Sequence, residues 1–588
     1  MERKQLTAAR VEALRAWMRE NGVDAYIVPT ADPHNDEYVP ARWMCREWLT
    51  GFDGSAGFAV VTRSAAALWT DSRYWLQAGE QLDGTPFRLM REGEPDVPSP
   101  AQWAKEEAGS DAVVSCPPDM LTAAMAQEWG ISPAAALDAF DTTWADRPSL
   151  PAAPMYPQPL RYAGFSVAEK LSLVAEKLDS TLKSKQYLFN DLADIAWMLN
   201  LRGGDIPYNP VFLSYLLYNK EGKHYTLYTH TDTLTPEARM QLADAGVTVR
   251  PYGEIESACK ALPTAFSSSA PVCVARHGSE TLESPAEALR SVKNAAERDG
   301  FREAMERDGA AMVGFLRWLD EAMAAGENVT EMGVDEKLTA LRAAQPGYEQ
   351  LSFATIAAYA AHGAIVHYEA SPATDARLEP KGLLLLDSGA QYDCGTTDIT
   401  RTIALGPLSE EERRVYTLVF KGHLALARQR FPIGTTGLQL DLAARQYMWQ
   451  EGYDFGHGTG HGVGAHLCVH EGPHQIRKNI RPCTLLPITE GMTITDEPGV
   501  YVTGSFGVRI ENTLLCVDGG ETAFGHFLRF ESLTLCPYDL RPVVREMLTA
   551  EETAQIDAYH ALVRERLTPR LTDEADRRWL AQATMPIG

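Results

Sequence analysis

The chain of 588 residues carries 54 lysines and arginines against 79 aspartates and glutamates, and its net charge of -25 disfavours nonspecific binding of nucleic acid. Hydrophobic content of 45% and charged content of 23% are typical of a globular protein of several domains, and no apolar run approaches the roughly 20 residues of a membrane helix. Nine cysteines without a CxxC pair, and a charged amphipathic start without the apolar core of a secretory signal, predict free thiols and a cytoplasmic location.

The N-terminal region has the alternating pattern of an α/β domain. The sequence predicts a helix in "AARVEALRAWMRENG" and strands in "AYIVP", "GFAVVT" and "AALWT". Residues 147–160, "RPSLPAAPMYPQPL", contain five prolines and predict a stiff linker. Beyond it, "VAEKLSLVAEKLDS", "YLFN" and "IAWMLNLRG" follow a similar order, which indicates a second copy of the first domain.

The last domain is predicted to begin with the long polar helix "SVKNAAERDGFREAMERDGAAMVGFLRWLDEAM". The tail "LTAEETAQIDAYHALVRERL" opens with a capping box from Thr549 to Glu552 and predicts an amphipathic helix that packs on its own domain, with a dimer contact as the alternative. The predicted domains are therefore residues 1–155, 156–290 and 291–588.

Two similar stretches place carboxylates within β-branched runs. "GLLLLDSGAQYDCGTTDITRTIAL" is predicted to be a strand ending at Asp387, a turn, and a return strand with Asp398. "GMTITDEPGVYVTGSFGVRIENTLLCV" repeats this design with Glu497 and Glu511. An unpaired carboxylate in a core costs several kcal/mol, so these four groups need cationic partners.

The partners of these carboxylates are either arginines or metal ions. Arg401 and Arg509 lie on the return strands and form structural ion pairs in the first interpretation. Two arginines do not neutralise four carboxylates, so the charge count favours divalent cations. Four carboxylates and one imidazole form a dinuclear set that suits Mn, Co or Zn.

The imidazole is expected from "HGTGHGVGAHLCVHEGPH", residues 457–474, which hold five of the 14 histidines. Its His470-Glu471-Gly472-Pro473-His474 is not a zinc-protease helix, because proline inside a helix costs roughly 3 kcal/mol. Its Gly460-x-Gly462-x-x-Ala465 is not a dinucleotide fingerprint, because no apolar strand precedes it.

Four glycines surround His461, which is therefore the predicted metal ligand, since glycines let the backbone approach the metals and leave room for a substrate. His457 and His470 are candidates for substrate contact or acid–base work. His466 and His474 receive no predicted role.

The carboxylate and histidine stretches also resemble a known family. "LLDSGAQYDCGTTDITRT", "HGTGHGVGAHLCVHEGP", "TDEPGVY" and "GVRIEN" resemble the Xaa-Pro aminopeptidases (aminopeptidase P) of the pita-bread metallopeptidase fold. "TGFDGSAGFAVVT", "LWTDSRYWLQA" and "WMLNLRGGDIPYNPVF" resemble the two creatinase-type domains of the long cytosolic members. The resemblance implies a mixed α/β (α+β) fold, with two creatinase-type N-terminal domains followed by a pita-bread catalytic domain.

The resemblance also implies roles for individual residues. The implied ligands of two divalent metals, usually Mn, are Asp387, Asp398, His461, Glu497 and Glu511. The implied catalytic residues are His367, His470 and Glu497, and the implied substrate-binding residues are His367, His470, His457 in the proline pocket, and Tyr501 and Arg509 behind the metals. The chain departs from the family pattern in "AAHGAIVHY", where a Pro-Asn-Gly turn is expected and His362 stands instead.

The implied activity is removal of the first residue from peptides with proline in second position, through attack by a hydroxide that bridges the metals. A homodimer is implied, with no nucleic-acid or membrane partner. The alternatives are a prolidase, a creatinase, which uses no metal, and a metal-free binding module. The complete ligand set disfavours the last two, and the two N-terminal domains disfavour a prolidase.

Overall fold

The computed structural model describes residues 3–587 and contains two compact units. The first comprises Met1–Leu160 and Phe165–Ala286, and the second comprises Arg161–Gly164 and Glu287–Gly588. The proline-rich residues 147–160 lie within the first unit, where they contain one short strand. The division into three domains at the predicted boundaries stays a prediction.

The first unit begins with a five-stranded sheet. Its strands are β1 (Ala25–Pro29), β2 (Phe58–Thr62), β3 (Ala66–Thr70), β4 (Arg88–Arg91) and β5 (Val114–Ser115), in the order β4-β3-β2-β1-β5. The helices in this part of the chain are α1 (Arg3–Glu20), α2 (Cys45–Thr50), α3 (Trp75–Gln81), α4 (Pro100–Ala108), α5 (Ala123–Trp129) and α6 (Phe140–Thr143). In α1, Val11, Leu14 and Met18 are buried at helical spacing, which is why this charged segment folds as an amphipathic helix.

The second sheet has the same topology as the first, with one strand added. The following strands are β6 (Tyr156–Pro157), β7 (Gln186–Phe189), β8 (Leu201–Arg202), β9 (Ser214–Asn219), β10 (His224–Thr229), β11 (Thr248–Pro251), β12 (Thr264–Phe266) and β13 (Glu280–Thr281). The sheet order is β11-β10-β9-β7-β12-β13, and β6 pairs with β8. In both sheets the first strand pairs antiparallel with the second and parallel with the fifth. The predicted internal repeat is therefore confirmed.

The helices from residue 160 to the end of the first unit are short, apart from one. They are α7 (Leu160–Ala163), α8 (Val167–Thr181), α9 (Leu192–Leu199), α10 (Pro236–Asp244), α11 (Ile255–Ala261), α12 (Val272–Ala275) and α13 (Pro285–Ser291), of which α7 and α13 extend across the borders between the units. Helix α8 begins at a capping box formed by Ser166 and Glu169, and it buries Leu171, Val174 and Leu178 at helical spacing.

The second unit consists of two halves, each with two helices followed by antiparallel strands. The first half contains α14 (Ala295–Ala325), α15 (Glu331–Ala343), β14 (Tyr348–Leu351), β15 (Ile356–Tyr359), β16 (Leu383–Ser388), β17 (Ala390–Tyr392), β18 (Gly395–Thr396) and β19 (Ile399–Ala404). The second half contains α16 (Glu410–Ala427), α17 (Gly437–Gln450), β20 (Arg430–Pro432), β21 (Gly460–Gly462), β22 (Glu471–Ile476), β23 (Thr493–Asp496), β24 (Gly499–Val502), β25 (Phe506–Arg509), β26 (Asn512–Thr522) and β27 (Gly525–Ser532).

The C-terminal segment completes the second unit. Helix α18 (Ala550–Leu567) begins at the predicted capping box, in which Thr549 and Glu552 bond to each other's backbone, and α19 (Glu574–Ala583) follows. Val563 and Leu567 of α18 pack with Val313 of α14, so the prediction that the tail packs on its own domain is confirmed. None of the helices between residues 3 and 587 has the length and apolar content that a membrane crossing requires.

Each predicted carboxylate hairpin is present, and each has a smaller hairpin inserted at its tip. Strands β16 and β19 pair antiparallel, and β17 and β18 form the insertion between them. Strands β23 and β26 pair in the same way around β24 and β25. We call these two arrangements the nested hairpins. They lie in separate sheets of the second unit, one in each half.

Candidate metal centre

The predicted carboxylates lie where each main hairpin meets its insertion. Asp387 is in β16, opposite Thr400, and Asp398 immediately precedes β19. Asp496 pairs with Asn512, so Glu497 and Glu511 are the next residues beyond the end of the β23–β26 ladder. The two nested hairpins therefore present their acidic pairs at the same end of the main ladder, although only Glu497 and Glu511 both lie beyond it.

Threonines join the two nested hairpins to each other. Thr400 Oγ1 donates to Glu511 Oε2 at 2.8 Å, and the Glu511 amide donates to the Thr400 carbonyl at 3.0 Å. Thr402 Oγ1 donates to the Arg509 carbonyl at 2.8 Å and accepts from the Arg509 amide at 3.1 Å. These bonds satisfy buried backbone groups, and they hold the acidic pairs against each other.

The imidazole of His461 lies among the carboxylates. One ligand atom from each of Asp398, His461 and Glu511 lies within 4.8 Å of the other two. His461 Nε2 is 3.5 Å from Asp398 Oδ2 and 3.5 Å from Glu497 Oε1. The structure thus brings these four residues together, from sequence positions more than 100 residues apart at the extremes.

The charge within this cluster is poorly balanced by the protein. Burial raises the pKa of Asp398 well above its usual range, and the charges of Asp387 and Glu497 add to the shift. Burial likewise raises the pKa of Glu511, with a further contribution from Asp398. Burial raises the pKa of Glu497 to about 7. The cluster is an environment in which bound cations would relieve a large electrostatic cost.

Only one of the two candidate arginines contacts a carboxylate of the cluster. Arg509 forms hydrogen bonds from Nε and Nη2 to Asp387 Oδ2, at 3.0 and 2.6 Å. Arg401 instead donates to the carbonyls of Thr400, Glu511, Cys536 and Pro537 and to the side chains of Asn512 and Tyr559. The interpretation that Arg401 neutralises a carboxylate is therefore wrong, because its guanidinium faces away from the acidic pairs toward the C-terminal segment.

The donor set fits a pair of divalent cations. Its atoms are carboxylate oxygens and one imidazole nitrogen, the ligands that Mn, Co and Zn accept. Asp387 Oδ1 is buried without a hydrogen-bond partner among the described residues, while Oδ2 is occupied by Arg509. A buried carboxylate oxygen left in this state is unfavourable unless a cation is bound to it.

A chain of hydrogen bonds leads from Asp387 to His457. Arg509 Nη1 donates to Tyr501 Oη at 2.7 Å, so the Tyr501 hydroxyl proton points to His457 Nε2, which is 2.7 Å away. His457 Nδ1 in turn donates to the Gly458 carbonyl at 2.6 Å. Burial and the charge of Arg509 lower the pKa of His457 well below its usual range, which agrees with this neutral tautomer.

The glycines around His461 have a structural role in addition to the predicted one. A Cβ atom on Gly460 would lie 1.9 Å from the Thr495 carbonyl oxygen, and one on Gly462 would lie 2.4 Å from the Glu471 carbonyl oxygen. Strand β21 therefore fits between β22 and β23 only without side chains at these positions. The glycines hold His461 close to Glu497, rather than only leaving room for a substrate.

The other predicted histidines occupy different environments. The His470 ring lies perpendicular to His461, with ring centroids 4.4 Å apart, and therefore at the edge of the cluster. His367 is half-buried in the turn that precedes Tyr368. The neighbouring Ile365 and Tyr368 belong to an apolar cluster that also contains Tyr501, and this places the turn beside the site.

His466 and His474 have structural partners. His466 is fully buried and its Nε2 is 2.9 Å from Glu349 Oε2. His474 is also fully buried, and its Nε2 donates to the Thr493 carbonyl at 2.8 Å. His474 lies in a β-strand and Gly460–Gly462 forms another, so neither the zinc-protease helix nor the dinucleotide turn is present, as predicted.

The polar residues that support the carboxylates were not predicted from the sequence. Thr495 Oγ1 donates to Glu497 Oε1 at 3.2 Å, and Thr400 does the same for Glu511. Asp496, next to Glu497, is fully buried, and its Oδ2 lies 3.2 Å from Nδ1 of the buried His423. The sequence pattern that could have indicated these threonines is the alternation in "TITDE" and "TDITRT", where threonines occur at two-residue spacing beside the acidic residues.

This fold and this set of donor residues define a metallopeptidase with a two-cation site. A model of metallopeptidase family M24 matches residues 299–518, and one of the C-terminal region of that family matches 526–587. Two models of the creatinase/prolidase N-terminal domain match residues 10–138 and 146–297, in agreement with the duplicated sheets.

Full-length relatives narrow this class to one family. The chain is 37% identical to a probable Xaa-Pro aminopeptidase P of Colletotrichum graminicola over 99% of both chains, and 36% identical to aminopeptidase P2 of Arabidopsis thaliana over 99% of this chain and 89% of the relative. It superimposes with a TM-score of 0.93 on the X-prolyl aminopeptidase of Caenorhabditis elegans, described as a cytosolic enzyme with a di-nuclear active site, at 32% identity over 99% of this chain and 100% of the other. The chain belongs to the Xaa-Pro aminopeptidase P family, and the resemblance inferred from the sequence is confirmed.

Proposed function

We propose that the protein is a metal-dependent aminopeptidase that releases the N-terminal residue from peptides with proline in second position. The observation that carries this proposal is the cluster of three buried carboxylates, a fourth that is partly buried and one imidazole, in which Arg509 is the arginine that bonds to a carboxylate. The names of the full-length relatives support the preference for proline.

The proposed ligands of the two cations are Asp387, Asp398, His461, Glu497 and Glu511. When bound, two divalent cations supply a water molecule of lowered pKa and polarise the carbonyl group of the first peptide bond. Mn is the proposed metal, with Zn or Co as alternatives. Metal analysis of purified protein, followed by reloading with each metal separately, tests this assignment.

The side chains around the cations have proposed roles in binding and proton transfer. Glu497 is held by Thr495 through Oε1, and it is proposed to take up a proton and pass it to the leaving nitrogen. His470 and His367 are proposed to donate hydrogen bonds to charge that develops on the carbonyl oxygen. The hydrogen bond from Tyr501 fixes His457 as a neutral ring, which suits a wall of the proline pocket.

The decisive experiment compares Arg-Pro-Pro, Arg-Ala-Ala and the dipeptide Ala-Pro as substrates, with Mn added and then removed by a chelator. The proposal predicts release of arginine from Arg-Pro-Pro alone and loss of this activity on chelation. Cleavage of Ala-Pro alone would indicate a prolidase. Cleavage of none of them by metal-loaded protein would leave a non-catalytic binding module.

Two further properties are proposed from the family. We propose a homodimer, which light scattering of the eluted protein would detect by its mass. The cytosolic description of the C. elegans relative supports the predicted cytoplasmic location, which fractionation of the source cells would test.

A further inference from the structure

We infer that His362 is a positioning residue for His367, acting through a shared buried anchor, the carboxylate of Glu331. This inference rests on the proposed function, because the proposed role of His367 is contact with the substrate. His362 lies in the one stretch where the sequence departs from the turn expected of the family.

The Glu331 carboxylate accepts hydrogen bonds from three separate segments of the chain. Its side chain is fully buried at the N-terminus of α15, and His362 Nδ1 lies 2.8 Å from Oε1 and 3.0 Å from Oε2. The amides of Tyr359 and Ala376 donate to the same carboxylate at 2.7 and 2.9 Å. Since a carboxylate only accepts hydrogen bonds, Nδ1 of His362 must carry the proton.

The same carboxylate binds the residue that follows His367. Tyr368 Oη donates to Glu331 Oε2 at 2.8 Å, and the Tyr368 ring stacks on the His362 ring with centroids 4.4 Å apart. The chain on both sides of His367 is therefore fixed to one point, and the position of the His367 backbone is determined by it.

The segment that contains His362 includes a strained residue and a close backbone contact. Ala360 adopts a left-handed conformation with φ of 49°, which is unfavourable for a residue with a Cβ atom by roughly 1 kcal/mol. Gly363 approaches Gly507 so closely that a Cβ on Gly507 would lie 1.7 Å from the Gly363 carbonyl oxygen. The turn thus rests against the inserted hairpin that carries Tyr501 and Arg509, and a shift of the turn would move His367 relative to both.

Three substitutions separate the contact of His362 with Glu331 from its contact with Tyr368. His362→Ala removes both the hydrogen bond and the ring, and His362→Phe keeps a ring that stacks on Tyr368 but donates no hydrogen bond. His362→Asn restores a donor close to the position of Nδ1, without the ring. With Arg-Pro-Pro as substrate, we expect kcat/KM to fall about 10- to 100-fold in the alanine and phenylalanine variants and to stay within about threefold of wild type in the asparagine variant.

A double-mutant cycle shows whether His362 acts through His367. In a His367→Ala background, the further change His362→Ala should alter kcat/KM by less than about twofold, because the group that it positions is absent. Losses that multiply in the double variant would overturn the inference, as would a His362→Ala enzyme equal to wild type.

Hydrogen–deuterium exchange gives a readout that does not depend on activity. Peptides that cover residues 359–376 should exchange faster in the alanine and phenylalanine variants than in wild type, and the asparagine variant should restore protection. Equal exchange in all four proteins would overturn the inference. If wild type does not cleave Arg-Pro-Pro, the proposed function fails, and the exchange data alone decide whether His362 holds this segment.

Discussion

At the scale of single residues, the acidic cluster shows how little counter-charge the protein itself provides. Asp387 has Arg509, and Asp398 lies fully buried among other carboxylates with the His461 ring 3.5 Å away. Without cations, each of these groups destabilises its neighbours by repulsion and lost hydration. The stability of the second unit is therefore expected to depend strongly on bound metal.

Replacement of Asp398 by asparagine tests this dependence. We predict that Asp398→Asn lowers hydrolysis of Arg-Pro-Pro at least about 100-fold, because it removes charge from the metal site. In the presence of EDTA the variant should melt at the same temperature as wild type or higher, since repulsion is relieved. The rise in melting temperature that Mn produces in wild type should disappear.

Full activity of metal-loaded Asp398→Asn would contradict the ligand assignment. A melting temperature in EDTA several degrees below that of wild type would contradict the electrostatic argument instead. The two measurements are independent, so each part of the prediction can fail alone.

The hydroxyl of Tyr501 provides a second test at this scale. Burial raises its pKa to about 12, so at neutral pH it keeps the proton that it donates to His457. We predict that Tyr501→Phe lowers kcat/KM about tenfold with unchanged metal content, because the His457 ring and Arg509 each lose a fixed partner. Tyr359→Phe, which removes an exposed hydroxyl bonded to the Lys381 carbonyl, serves as the control and should match wild type. A loss of bound metal in Tyr501→Phe would show that the chain of hydrogen bonds from Asp387 to His457 positions Asp387 rather than the substrate.

At the scale of secondary structure elements, strand β21 is short and carries only one functional side chain. It is three residues long, with His461 between Gly460 and Gly462, and it pairs with β22 while its backbone lies against β23. The position of His461 therefore depends on backbone packing on both sides, and this packing requires residues without a Cβ atom.

Two alanine substitutions in this stretch should differ sharply. A Cβ on Gly460 would meet the Thr495 carbonyl oxygen at 1.9 Å, whereas a Cβ on Gly458 would meet nothing nearer than 3.6 Å. We predict that Gly460→Ala lowers the free energy of unfolding by about 1–3 kcal/mol or more and impairs metal binding, while Gly458→Ala stays close to wild type. Urea denaturation and metal titration would measure both. Equal stability of the two variants would show that β21 can shift without cost.

The sequence predicted the local elements better than their assembly. Strands β1 and β3, the capping box of α18 and the carboxylate positions follow from patterns within a few residues, which are encoded by period and propensity. The partner of Arg509 could not be predicted, because Asp387 lies 122 residues away along the chain. The insertion of small hairpins and the bonds of Arg401 to the C-terminal segment are likewise set by packing between distant segments.

At the scale of the whole molecule, buried neutral histidines should make the protein sensitive to acid. Burial lowers the pKa values of His34, His474 and His560 from 6.5 to about 4 in the folded protein. Above pH 6.5 these rings are neutral in both the folded and the unfolded protein, so they do not make the free energy of unfolding depend on pH. As the pH falls from 6.5 toward 4, only the unfolded chain takes up the protons, so the free energy of unfolding decreases by about 1.4 kcal/mol per pH unit for each ring.

His474 allows this contribution to be isolated. In His474→Gln the side-chain amide can still donate to the Thr493 carbonyl but does not titrate. We predict that this variant loses about 2 kcal/mol less stability than wild type between pH 6.5 and pH 5, as measured by urea denaturation in EDTA. His224→Gln, at an exposed position, should follow the wild-type pH dependence. Parallel curves for His474→Gln and wild type would show that His474 does not contribute.

The nested hairpins also determine when the site can exist during synthesis. Thr400 and Glu511, which bond across the centre, are separated by 111 residues, so a ribosome adding 5–20 residues per second needs roughly 5–20 seconds to deliver the second acidic pair after the first. During that interval the nascent chain still lacks Glu511, and His461 and Glu497 are added only partway through it. A polypeptide released early would lack at least one of the proposed ligands, so we expect complete metal loading only on chains whose translation has passed residue 511. If the proposed ligands are correct, the metal content of a molecule would report that its second unit has been made through Glu511.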